Sequence, residues 1–176
     1  MDFRTSELEF RETTRRIRDS DEIPTVSNDV LLAVVGRREI AFIPVVDKDN
    51  TVLISIAEPN DGNFVTQETK DTYTECLSVE FWDILTPWEI MDTIIYDVIP
   101  DAIAKDIRNF IERHKDKQFV IHCKAGVSRS AAVACAIECI VNYNGDEVEY
   151  NKGDSEIKSH WRYHPNPTVY DKIMAA

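Results

Sequence analysis

The chain has 176 residues, 43% hydrophobic and 30% charged, which suits one globular domain able to bury a core. A formal net charge of −12 argues against coating a nucleic acid, a task that calls for a basic face. No run approaches the roughly 18 unbroken apolar residues of a membrane span, and Met1–Glu7 has no apolar core of the secretory kind, so a cytoplasmic protein without membrane attachment is expected.

Residues 1–28 are dense in charge, with Phe3, Leu8, Phe10 and Ile17 as apolar points; they read as an arm, either a packed helix or a frayed end, ahead of a single domain over 29–176. Val30–Val35 and Glu39–Val45 are short apolar runs split by Gly36-Arg37-Arg38, which suggests a hairpin. Asp47–Asn50 is a turn, and the β-branched run Thr51–Ala57 is a buried strand, broken by Glu58-Pro59-Asn60-Asp61-Gly62. A further strand covers Glu75–Phe81. Thr86-Pro87-Trp88-Glu89 has the form of a helix start, with Thr86 as cap, Pro87 at the first helical position and Glu89 reaching back. A second helix from Pro100 places Ile103, Ile107, Phe110 and Ile111 on one face, and Lys115-Asp116-Lys117 closes it. Gln118–His122 is a short strand, Ser130–Asn142 a helix apolar over most of its circumference, and Gly145 lies just past its end. Strands and helices alternate in the second half. The expected class is therefore α/β, a central, largely parallel sheet flanked by helices.

Between the last strand and the buried helix runs Cys123-Lys124-Ala125-Gly126-Val127-Ser128-Arg129-Ser130. Such a loop, at the carboxyl end of a strand, is where sheets of this class place ligands. The backbone N–H groups of Lys124, Ala125, Gly126, Val127, Ser128 and Arg129 can converge on one point, and the helix N-terminus adds positive potential there, which makes an anion cradle. Gly126 permits a turn that a side chain would obstruct. A cysteine held there is expected to react as the thiolate. Arg129 brings the planar fork that fits two phosphate oxygens, so loop and guanidinium together suit a phosphoryl transition state. Cys76, Cys135 and Cys139 are expected to be thiols as well, the latter two packed as small hydrophobes. His160 and His164 lie four apart without the Glu of a zinc-protease helix, so no metal is expected.

His122-Cys123-Lys124-Ala125-Gly126-Val127-Ser128-Arg129-Ser130 resembles the C-x5-R signature of the cysteine-dependent protein tyrosine phosphatase superfamily, and its Ala-Gly-x-Ser-Arg-Ser form resembles the dual-specificity branch. His164-Pro165-Asn166 resembles the Pro-Asn element that follows the catalytic helix in that branch. Ile54-Ser55-Ile56 and Leu77–Ile84 resemble a group of predicted tyrosine phosphatases from bacteria and their phages. The resemblance spans roughly residues 50–175. It implies that Cys123 attacks phosphorus to form a phosphocysteine, that Arg129 binds phosphate, and that Ser130 donates to the sulfur as it leaves. It also implies that His122 holds the loop by hydrogen bonding and helps keep Cys123 ionised, and that neither metal nor organic cofactor takes part.

The family's general acid is an Asp upstream of the nucleophile. Asp83 is the first candidate because it follows a strand; Asp92 is nearer the usual spacing but falls inside the expected helix, and Asp97 and Asp101 rank below both. The implied substrate is a phosphorylated protein, on tyrosine and by extension serine or threonine. A phosphoinositide, a nucleotide or RNA 5′-phosphate, and a non-catalytic phosphate binder are the alternatives. Lys124 has two readings, a bias toward polyphosphorylated substrates or a side chain in solvent. Trp82 and Trp88 are expected to pack in the core or a lid.

Overall fold

A computed structural model describes residues 27–62, 65–91 and 93–176. The charged arm thus lies almost wholly outside the described residues. Among the described residues six strands form, β1 Leu31–Gly36, β2 Thr51–Ala57, β3 Cys76–Glu80, β4 Trp88–Ile90, β5 Thr93–Tyr96 and β6 Gln118–Cys123. The helices are α1 Gln67–Lys70, α2 Asp101–Arg113, α3 Arg129–Asn142, α4 Glu147–Lys152, α5 Glu156–Ser159 and α6 Pro167–Ala175. The main sheet has the order β1-β6-β2-β3, with every neighbouring pair parallel. All four strands therefore end on one edge, and the segments after β2, β3 and β6 meet there.

Parity along the strands decides which side chain faces which layer. On β2, Val52, Ile54 and Ile56 join the main core, while Leu53 faces a smaller cluster with Ala33, Val35, Ile40, Val65 and Tyr73. On β6, Phe119, Ile121 and Cys123 belong to the main core and Val120 to the smaller one. The main core is closed by α2, α3 and α6. Ile107, Phe110 and Ile111 of α2 are buried and Ile103 is partly buried against them, as their spacing predicts. Twelve of the fourteen residues of α3 are buried, which explains the lack of a polar face in its sequence. Within it, burial pushes the Cys135 thiol up to about 11 and raises Cys139 also. Asn144 and Gly145 end the helix with φ of 52° and 78°, the left-handed stop expected there.

Two expectations fail. Val30–Val45 is not a hairpin: β1 pairs in parallel with β6, and Glu39–Val45 contains only a short 3-10 turn at Ile40–Phe42. The apolar residues that suggested a second strand include Ile40, buried under the sheet, and Phe42, 74% exposed. Nor does Thr86-Pro87-Trp88-Glu89 start a helix; β4 and β5 form a small antiparallel hairpin in register Trp88↔Tyr96. The cap-like residues were outweighed by the β-branched run that follows, Ile90, Thr93, Ile94 and Ile95, which suits a strand. Asp92, weighed inside that helix, lies outside the described residues. Among the described residues no helix is long and apolar enough to cross a membrane.

Candidate active site

The loop from Cys123 to Arg129 leaves β6 at the centre of the sheet's carboxyl edge and enters α3 without a spacer. Its shape depends on Gly126, whose φ is 71°. A Cβ at that position would lie 2.3 Å from both Gly36 N and Val35 C, so the loop is pressed against the end of β1 and only glycine fits. His164 N donates to Val127 O at 2.9 Å, and Arg37 N to Lys124 O at 3.4 Å, which fix the loop from outside. Glu39 accepts from Gly36 N and from the fully buried Arg162, so the end of β1 against which Gly126 packs is itself held.

Inside the loop the Cys123 Sγ accepts from Gly126 N at 3.3 Å and lies 3.2 Å from Ser130 Oγ. The thiol is 2% exposed, at the foot of the cradle. His122 points to the opposite face, as alternation requires, and its Nε2 lies 2.7 Å from the Oγ of Ser55, its register partner on β2. Burial drives the imidazole down to about 4, so His122 is neutral near pH 7. It braces β6 against β2 without adding charge, which narrows the role the resemblance implies for it.

Arg129 is 2% exposed, yet its guanidinium is only partly satisfied. One terminal nitrogen donates to the carbonyls of Ala57 at 3.2 Å and Phe81 at 2.8 Å, at the ends of β2 and β3. The other donates to Glu58 Oε1 at 3.4 Å. Its Nε is buried with no hydrogen-bond partner among the described residues. A buried donor in that condition costs about 1–3 kcal/mol unless a ligand or water meets it. It borders Asp83, whose Oδ2 is 3.8 Å away.

Asp83 follows β3 at the same edge, as its place in the sequence predicts. Its Oδ1 accepts from Ser128 Oγ at 2.8 Å and from Asn166 Nδ2 at 2.9 Å. Ser128 is the N-cap residue of α3 but makes no side-chain cap; it holds the carboxylate instead. Asn166 does both jobs, capping α6 through Val169 N at 3.2 Å while tying down Asp83 and Ile84 O. The other carboxylates are engaged elsewhere: Asp97 accepts from Val98 N, and Asp101 pairs with Lys172. Trp82 packs edge-on against Tyr96 at 4.7 Å, and Trp88 stacks on the same ring at 5.3 Å, so the two tryptophans anchor the hairpin next to Asp83. Lys124 reaches neither solvent alone nor the cradle; its Nζ is 2.8 Å from Glu58 Oε2.

The structure places Cys123, Arg129, Ser130 and Asp83 around one loop with His122 on the strand that leads into it, and it adds Glu58, Ser55, Glu39 and Arg162, which the sequence did not single out. Two of these had a readable signal. Once β2 and β6 pair in parallel with Ser55 opposite His122, Glu58 leaves β2 at the level of the loop that follows Cys123. Glu39 and Arg162 are 123 residues apart and had none.

No family model matches the sequence, and no curated protein does. Solved structures do. PTPMT1 in complex with PI(5)P is 20% identical, with 84% of this chain and 90% of that chain covered at a TM-score of 0.50. The PTP-2 phosphatase of Cydia pomonella is 19% identical, covering 86% and 88%, with a TM-score of 0.49. The Yvh1 phosphatase domain from Chaetomium thermophilum is 16% identical, covering 86% and 92%, with a TM-score of 0.48. At such identity the PTPMT1 match is a likeness of fold, and that fold is the α/β arrangement expected of tyrosine phosphatases.

Proposed function

We propose that this chain hydrolyses phosphate monoesters on proteins, phosphotyrosine above all, through a phosphocysteine on Cys123. The observation that carries the reading is the pairing of a sulfur fed by Gly126 N–H and Ser130 Oγ with a buried Arg129 whose Nε has, among the described residues, no hydrogen-bond partner and only a long ion pair with Asp83. That edge and the loop amides form a receptor for an anion.

In the first step the Cys123 sulfur forms a bond to phosphorus as the bond to the leaving oxygen breaks. Arg129 and the amides of residues 124–129 hold the equatorial oxygens, and Asp83 gives its proton to the departing oxygen. In the second step water attacks phosphorus and passes a proton to the Asp83 carboxylate. The phosphorus–sulfur bond breaks and the thiolate leaves, accepting a hydrogen bond from Ser130 Oγ. Asn166 and Ser128 aim the acid in both steps, and Glu58 tethers a terminal nitrogen of Arg129. Intact Cys123, Arg129, Ser130 and Asp83 in one place speak against a binding-only role.

The test is hydrolysis of an aryl phosphate with a chelator present. Turnover, its block by vanadate and its loss in Cys123→Ser are expected. Turnover that survives Cys123→Ser, or a chelator that abolishes it, would refute the proposal.

A further inference from the structure

The segment that leaves β2 is written Glu58-Pro59-Asn60-Asp61, and it folds as a tight turn. Asp61 N donates to Glu58 O at 3.0 Å, and Asn60 has φ 68°. Proline second and a left-handed asparagine third is the pattern of a type II turn. The turn brings its first and last side chains together at the rim of the catalytic loop. There they enter an alternating chain of charges. Arg129 meets Glu58 at 3.4 Å, Glu58 meets Lys124 at 2.8 Å, Lys124 meets Asp61 at 3.8 Å, and Asp61 meets Arg37 at 3.4 Å.

Lys124 is half exposed and is the loop residue closest in kind to a receptor for a second anionic group. Two carboxylates already face it. A substrate phosphate or acidic side chain reaching past the cradle toward Lys124 meets the carboxylates of Glu58 and Asp61 already paired with it, and Asp83 on the other flank. Behind the lip stands a chain of net charge −12. At physiological salt such charges act over a Debye length of about 8 Å, the reach of residues flanking a phosphorylated side chain. Like charges placed there are disfavoured and cations are drawn in.

We infer that Glu58 and Asp61, by holding Lys124 in ion pairs, make this site selective for phosphopeptides whose flanking residues are neutral or basic, against substrates with a second anionic group. The inference rests on the phosphatase reading above and goes on to name its substrate class and a specificity-determining residue, Asp61.

The experiment compares kcat/KM for two phosphotyrosine peptides of equal length, one flanked by Lys and Arg and one by Asp and Glu. Phosphatidylcholine vesicles carrying a phosphatidylinositol monophosphate form a third arm, and an aryl phosphate is the reference. The wild-type chain is expected to favour the basic peptide. Asp61→Asn should shrink that preference about two- to fivefold, the scale of one exposed ion pair. Asp61→Lys should shrink it further, and 1 M salt, where the Debye length is about 3 Å, should flatten it. A preference for the acidic peptide or the vesicles overturns the inference, as does a ratio that neither substitution moves. Turnover of the aryl phosphate with a flat ratio sinks only this inference. No turnover on any substrate sinks the phosphatase reading with it.

Discussion

Asp83 shows how a single side chain is prepared by its neighbours. Two donors converge on one oxygen, Ser128 Oγ and Asn166 Nδ2, while the other oxygen lies 3.8 Å from Arg129 Nε. General acid catalysis by a positioned group is worth about 10²–10⁴ in rate, and most for a poor leaving group. Asp83→Asn is therefore expected to lower kcat by that order on an alkyl or phenolic phosphate and far less on an activated nitrophenyl ester. A plot of log kcat against leaving-group pKa should steepen in the variant. An unchanged slope, together with a steepened one in Asp92→Asn, would move the role to Asp92. At this scale the sequence was informative where chemistry and chain position coincided, as in Cys123 and Arg129. It was silent where a role is created by distant packing, as in Glu39 with Arg162.

Elements were legible to the degree that their local signals agreed with burial. Thr51–Ala57 reads as a strand from its branched residues and is one, with all seven buried. The helix after Arg129 reads as buried because between Ser130 and Asn142 at its ends only Glu138 interrupts its apolar surface, and Glu138 finds Ser155 Oγ at 2.6 Å and Tyr150 OH at 3.2 Å. Trp88–Tyr96 was misread because Thr86, Pro87 and Glu89 imitate a cap, and no local rule weighs a cap against the strand preference that follows it. The segment after Gly36 was misread for another reason. A turn-like Gly-Arg-Arg suggests a hairpin, but the partner of β1 is β6, some eighty residues later, and parallel pairing of that kind leaves no mark on the intervening turn. Gly36 and Gly126 are the contact at which those distant elements meet.

The whole molecule couples the geometry of the candidate site to stability through its parallel sheet, whose strand β6 carries both Cys123 and the buried His122. His122 falls from an ordinary 6.5 to about 4 because burial disfavours its charged form. Between those values the unfolded chain binds more protons than the folded one, so stability rises with pH across that window. It is fully present above about 6.5 and falls by about 3 kcal/mol as the pH drops toward 4. Glu138, raised by burial, acts in the opposite sense. Chemical denaturation across this range should give a shallower acid limb for His122→Gln than for the wild type; equal limbs would show that this imidazole does not titrate on unfolding. The decisive observation lies at the sulfur. Acid-quenching the wild-type chain during turnover of an aryl phosphate, followed by peptide mapping, should find a phosphoryl group on the peptide that contains Cys123 and none in Cys123→Ser. Turnover with the phosphoryl group on another residue, or with Cys123 unmodified throughout, would contradict a phosphocysteine mechanism.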